Sequence, residues 1–98
     1  MNRVSGTAGT AGTAGTVGTL RVRFLARYAE LVGRSEGTLT VHLPATVSDV
    51  MSRIRDEWPG TAALPAQPLA ALNLRHVRLD AAVADGDELA FLPPLAGG

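Results

Sequence analysis

The chain has no cysteine, no lysine and no apolar run near the length of a membrane span. Without cysteine there is no disulfide, no thiol nucleophile and no cysteine-held metal. Doing without disulfides fits a reducing cytosol, so a cytoplasmic location is expected. Without lysine there is no amine for a Schiff base or for acylation; all nine cations are arginine. A membrane-spanning helix needs roughly 18 apolar residues, and the start of the chain carries Arg3 but no apolar segment of a secretory signal. Excess charge is missing too. Nine acidic residues balance the nine arginines, so neither nucleic acid nor a membrane surface is expected as a partner.

What is present suits one domain of 98 residues. Residues 5–19 read SGTAGTAGTAGTVGT, a Gly-Thr-Ala triplet repeat. Its glycine spacing resembles collagen, but the run has no proline and is too short to form a triple helix. Such small side chains cannot bury enough surface to offset the entropy of ordering the backbone. Residues 1–18 are therefore expected to be a disordered leader, and residues 19–98 the folded domain.

Order is expected from TLRVRFLAR onward. Leu20, Val22, Phe24 and Ala26 alternate with Arg21 and Arg23, the pattern of a half-buried strand. YAELVG allows about one helical turn, closed by Gly33. In GTLTVHL, Leu39, Val41 and Leu43 face one way and Thr38, Thr40 and His42 the other, with Pro44 as the stop. The short connection predicts antiparallel pairing of these two strands. Thr46 can cap a helix with Asp49 in its first turn, and Val47, Val50, Met51, Ile54 and Trp58 form one apolar stripe. Asp49 and Arg53 stand four apart, the spacing of a helical ion pair. Pro59-Gly60 ends the helix and TAALPAQP reads as loop. LAALN and HVRL are brief strands around Asn73. Asp85-Gly86 marks a turn into a last strand, in which Leu89 and Phe91 face opposite to Glu88, Ala90 and Leu92.

One striped helix needs a sheet to cover. The order of elements predicts an α+β, β-grasp (ubiquitin-like) fold: a mixed sheet packed on one main helix, with the last strand parallel to the first near the sheet centre. The ordered part would bury roughly 60–65% of its unfolded surface, an adequate but modest core.

The sequence finishes AFLPPLAGG. Pro93 and Pro94 cannot donate ladder hydrogen bonds and favour an extended path, so residues 93–98 are expected to leave the sheet as a stiff arm. Stiffness lowers the entropy lost when such an arm docks. Leu95 can anchor in a partner's groove. Gly97 and Gly98, lacking Cβ atoms, can thread a narrow channel. The group so presented is the carboxylate of Gly98, ionised at neutral pH and inert until activated. As an acyl-adenylate it could accept sulfur and become a thiocarboxylate, a sulfur nucleophile that needs no cysteine.

DGDELAFLPPLAGG resembles the C-terminus of the MoaD-type sulfur carriers, the small subunits of molybdopterin synthase within the MoaD/ThiS group. VRFLARYAELVG, the ATVSDVMSRIRDEWP helix and LAALNLRHVRLDAAVADGDE are similar to the same family over residues 20–98. The resemblance implies a ubiquitin-like carrier in molybdenum cofactor biosynthesis. It implies that Gly98 is adenylated by an E1-like enzyme of MoeB type, which consumes ATP, and is then sulfurated by a sulfur donor protein. The thiocarboxylate would pass sulfur to cyclic pyranopterin monophosphate within a complex with the large, MoaE-type subunit. The carrier itself would be non-catalytic, with catalytic side chains in that large subunit and no stably bound cofactor. By the same resemblance Gly98 bears the sulfur, Gly97 lets the tail pass, and Phe91, Pro93, Pro94 and Leu95 shape the docking surface. Ala96 departs from the serine common at its position.

His42 and His76 lack neighbouring ligands and read as strand-surface residues, so no metal site is expected. Asp85, Asp87 and Glu88 explain a turn and could also meet a basic patch on an activating enzyme. Three other functions stay open: a sulfur carrier for thiamine or cysteine biosynthesis, a ubiquitin-like protein modifier, and an interaction domain with an inert tail.

Overall fold

The computed structural model describes residues 16–94. The first strand, β1 (Thr16–Phe24), buries Leu20, Val22 and Phe24 and turns Arg21 outward. It starts before the expected boundary at residue 18, drawing the end of the repeat into the sheet. Gly18 is buried there because a Cβ would stand 2.7 Å from a Leu43 methyl and 3.2 Å from Asp85 Cα. The rest of the expected leader, residues 1–15, lies outside the described residues. Ala26, expected to extend the inner face of this strand, instead sits exposed with φ 52° just before α1 (Arg27–Val32). The short helix buries Tyr28 and Val32, and Gly33 closes it at φ 89°.

β2 (Glu36–Leu43) pairs antiparallel with β1, setting Leu20 opposite Leu39. A two-residue strand, β3 (Ala45–Thr46), leads into α2 (Val47–Glu57). The helix buries Val47, Val50, Met51 and Ile54, the stripe expected from its spacing. Thr46 Oγ1 accepts from Asp49 N at 3.2 Å, while an Asp49 carboxylate oxygen accepts from Thr46 N at 2.9 Å. That reciprocal cap takes Asp49 away from the expected pair with Arg53, which instead bonds Glu57 one turn on. The segment expected to be loop after α2 opens with a 3₁₀ helix, Pro59–Ala63. Arg55 holds it by donating to the carbonyls of Thr61 at 3.1 Å and Pro65 at 2.7 Å. The buried Thr61 hydroxyl donates to Trp58 O at 2.7 Å. Trp58 closes the core edge-on against Phe24, with the Arg34 guanidinium 4.5 Å above its ring.

β4 (Leu69–Leu72) and β5 (Arg75–Val77) form a hairpin turned by Asn73 and Leu74, both at positive φ. β6 (Ala82–Val83) pairs with β3, and β7 (Glu88–Leu92) completes the main sheet. The order is β2-β1-β7-β4-β5, with β7 parallel to β1 and antiparallel to β4. This is the β-grasp arrangement: α2 lies across a mixed sheet whose last strand runs in the middle. The core joins both layers, with Leu20, Val22, Phe24, Leu89 and Phe91 from the sheet and Val47, Val50 and Ile54 from the helix.

Candidate functional site

β7 is placed by its neighbours more than by its own propensity. On one side Arg21 N–H donates to Asp87 O and Leu25 N–H to Phe91 O, each at 3.0 Å. On the other side Leu69 pairs with Leu92 and Ala71 with Ala90. A strand bonded along both edges cannot slide without breaking two ladders, so the position at which the chain leaves the sheet is fixed. That position is Pro93, half-buried, followed by exposed Pro94, the last described residue. Neither carries an N–H, so the ladder stops there. Leu95, Gly97 and Gly98 lie outside the described residues.

The turn before β7 is locked by its acids. Asp85 accepts from Thr19 N at 2.8 Å, and Asp87 accepts from Ala84 N at 2.7 Å and from the Asn73 amide at 2.9 Å. Asn73 returns the contact, its Oδ1 accepting from Glu88 N at 2.9 Å and its N–H donating to Glu88 O at 2.8 Å. Glu88 pairs with Arg23 at 3.4 Å. These carboxylates are engaged within the chain and fix the register of β7, while Asp85 stays exposed and Asp87 and Glu88 half-buried.

Phe91 requires a correction. It has no exposed surface and stacks on Phe24 at 6.1 Å between ring centroids. It points into the core and supports the exit of the tail from beneath; it cannot form part of a docking surface. The accessible side of the same strand is the other face. Across the ladder from the half-buried Leu92 and the buried Ala90 stand the 45% exposed Leu69 and the half-buried Ala71, an apolar strip beside the tail's root. Arg23 and Glu88 border it. Sequence reasoning placed Ala90 and Leu92 on this face but did not find Leu69 and Ala71, because only the β4–β7 register brings them alongside. Leu74, at the hairpin tip, is 85% exposed.

His42 on β2 and His76 on β5 sit on opposite edge strands, both exposed. Among the described residues no three His, Asp or Glu side chains converge to hold a metal ion, and no described helix is long and apolar enough to cross a membrane.

The ThiS family model matches residues 22–98. The molybdopterin synthase sulfur carrier subunit of Escherichia coli K12 is 35% identical over 81 residues, covering 81% of this chain and 99% of that one. The protein of the same description from Chlamydomonas reinhardtii is 32% identical, covering 81% and 98%. Among solved structures, small archaeal modifier protein 1 of Haloferax volcanii superposes with a TM-score of 0.70 at 26% identity, covering 80% of this chain and 99% of that chain. The family match takes in both ladders around β7 and the Pro-Pro-Leu-Ala-Gly-Gly run beyond them, and on that basis the chain belongs to the ThiS/MoaD family.

Proposed function

We propose that this chain is the sulfur-carrier small subunit of a molybdopterin synthase, with the Gly98 carboxylate as its working group. The observation that carries the reading is β7 itself. A central strand clamped by β1 and β4 ends at Pro93-Pro94 beside an apolar strip, so the chain leaves the sheet at a fixed point. The names of the Escherichia coli and Chlamydomonas relatives supply the chemistry and make a second, large subunit the natural partner.

In this reading an E1-like enzyme activates the tail. A Gly98 carboxylate oxygen attacks the α-phosphorus of ATP and pyrophosphate leaves. A sulfide equivalent from a donor protein then attacks the acyl carbon and AMP leaves, giving a thiocarboxylate. In the large subunit that sulfur attacks a side-chain carbon of cyclic pyranopterin monophosphate and displaces the oxygen bonded there; water then cleaves the acyl–sulfur bond, leaving the sulfur on the pterin and returning Gly98 to the carboxylate. A dithiolene holds two sulfurs, so each product consumes two loadings. This chain supplies position and delivery: Gly97 and Gly98 pass where no side chain could, Pro93 and Pro94 limit the entropy lost on docking, and Leu95 with the Leu69–Leu92 strip gives apolar contact.

Intact mass after incubation with ATP, an activating enzyme and a sulfur donor should increase by the difference between sulfur and oxygen. An unchanged mass under conditions that load a related carrier would remove the proposal. The likeness to the archaeal modifier protein favours a second reading, attachment of Gly98 to lysines of other proteins. Lysine-linked Gly-Gly remnants on cellular proteins, lost when this chain is deleted, would establish it.

A further inference from the structure

β2 is a terminal strand of the main sheet, and the phase of its backbone can be read. Phe24 N–H donates to Ser35 O at 2.9 Å, one step beyond the Arg23–Glu36 pair of the ladder. Antiparallel pairing alternates, so Gly37, Leu39, Val41 and Leu43 direct their backbone groups to β1. Glu36, Thr38, Thr40 and His42 direct theirs to the outer edge. Among the described residues no strand pairs with that edge. Among the described residues several usual protections of an edge are missing as well. β2 is eight residues long, its register to β1 runs unbroken without a bulge, and it contains neither lysine nor proline. The opposite edge strand, β5, has only three residues, flanked at its ends by Arg75 and Arg78.

We infer that β2 is a homodimerisation edge, pairing antiparallel with β2 of a second copy about a two-fold axis at Leu39. That register sets Thr38 opposite Thr40 of the second copy and Glu36 opposite its His42. Every outward N–H and C=O between Glu36 and His42 then finds a partner. Shifting the axis to Thr38 would set His42 against Arg34, and shifting it to Thr40 would set Glu36 against Pro44, which has no N–H to give; the Leu39 axis avoids both. A second feature on the helix side of the sheet agrees. Trp58 lies under Gly37, where a Cβ would come within 3.0 Å of the indole. A recess of about 150 Å³ lies at the other end of the strand, lined by Val41, His42, Ala45, Asp49, Val50 and Arg53. The axis sets Gly37 opposite Val41, so each copy carries its half-buried indole toward the other's recess, as a self-complementary two-fold contact requires. β1 separates β2 from β7, so the dimer edge lies on a different strand from the one that ends at Pro93-Pro94.

Sedimentation velocity of the full chain from micromolar to millimolar concentration tests this. A monomer–dimer equilibrium is expected. Thr40→Pro removes an N–H that faces the edge and leaves the bonds to β1 intact, so dissociation should rise by about tenfold or more. Thr38→Glu with Thr40→Glu sets carboxylates face to face and should abolish the dimer; Thr38→Glu with Thr40→Lys should restore it. Circular dichroism reports whether each variant is folded, and if Thr40→Pro unfolds, the two charge variants decide. A chain that stays monomeric at every concentration, or a dimer indifferent to both charge variants, overturns the inference.

Discussion

The energetic weight of the site's foundation falls on a phenyl ring. Phe91 is buried between Phe24 and the β4 strand, so its contribution is burial and packing. Phe91→Ala should lower stability by about 3–5 kcal/mol, read as a shifted urea midpoint. Leu74 is the opposite case, 85% exposed at φ 72°, a conformation that costs a leucine about 1 kcal/mol or more. Leu74→Gly should raise stability by a few tenths to 1 kcal/mol, because glycine adopts that turn without the steric penalty and loses no buried contact. An unchanged or lower thermal midpoint would show that the leucine side chain stabilises the hairpin despite its exposure. These two residues show what single positions disclose. Alternation sets Phe91 opposite Ala90 and Leu92 but does not say which face is the core, and the strain at Leu74 is visible only in its backbone angle.

At the scale of elements, α2 begins unusually well satisfied. Its first amides have partners of three kinds: Val47 N–H donates to Ala81 O at 2.9 Å, Ser48 N–H to Leu79 O at 2.8 Å, and Asp49 N–H to Thr46 Oγ1. The first two come from the segment around β6, so the small β3–β6 ladder anchors the helix start to the far end of the chain. Thr46→Ala should therefore cost about 1 kcal/mol, the worth of the cap alone, with α2 intact by circular dichroism. Loss of the whole helix would mean that the β3–β6 ladder does not hold it. The cap was legible in the sequence as Thr46 followed by Asp49. The ladder was not: two residues on each side are too few to show a period, and the partners lie far apart along the chain. For the same reason the Asp49–Arg53 spacing misled, since spacing cannot say that the cap has already claimed the carboxylate.

For the molecule as a whole, stability and delivery are separable. Leu69 and Leu92 lie on the face away from α2, so Leu69→Glu with Leu92→Glu should change stability by less than about 1 kcal/mol. The same pair should weaken binding to the large synthase subunit at least about tenfold, by analogy with apolar anchors at other interfaces. Equal affinity in calorimetry would mean that the strip takes no part. Removing Gly98 should leave the thermal midpoint unchanged and eliminate sulfur loading. A collapse in stability would show that the tail packs on the domain. The absence of lysine adds a constraint on the modifier reading: this chain cannot be extended into lysine-linked chains of itself.

Alternating side chains in the first two strands, the helical stripe from Val47 to Ile54 and the turn signals at Asn73 and Asp85-Gly86 determined the elements, because burial on one face imposes a period on the residues. The prolines and glycines of the tail marked it as the candidate for the proposed chemistry, because they act through backbone limits that are written in residue type. Only the tertiary structure decided that Phe91 faces the core and Leu69 lines the accessible strip, that the acids before β7 hold its register, and that among the described residues no strand pairs with the outer edge of β2. Those outcomes depend on which strands become neighbours and in what register, and register is set by contacts between residues far apart in sequence.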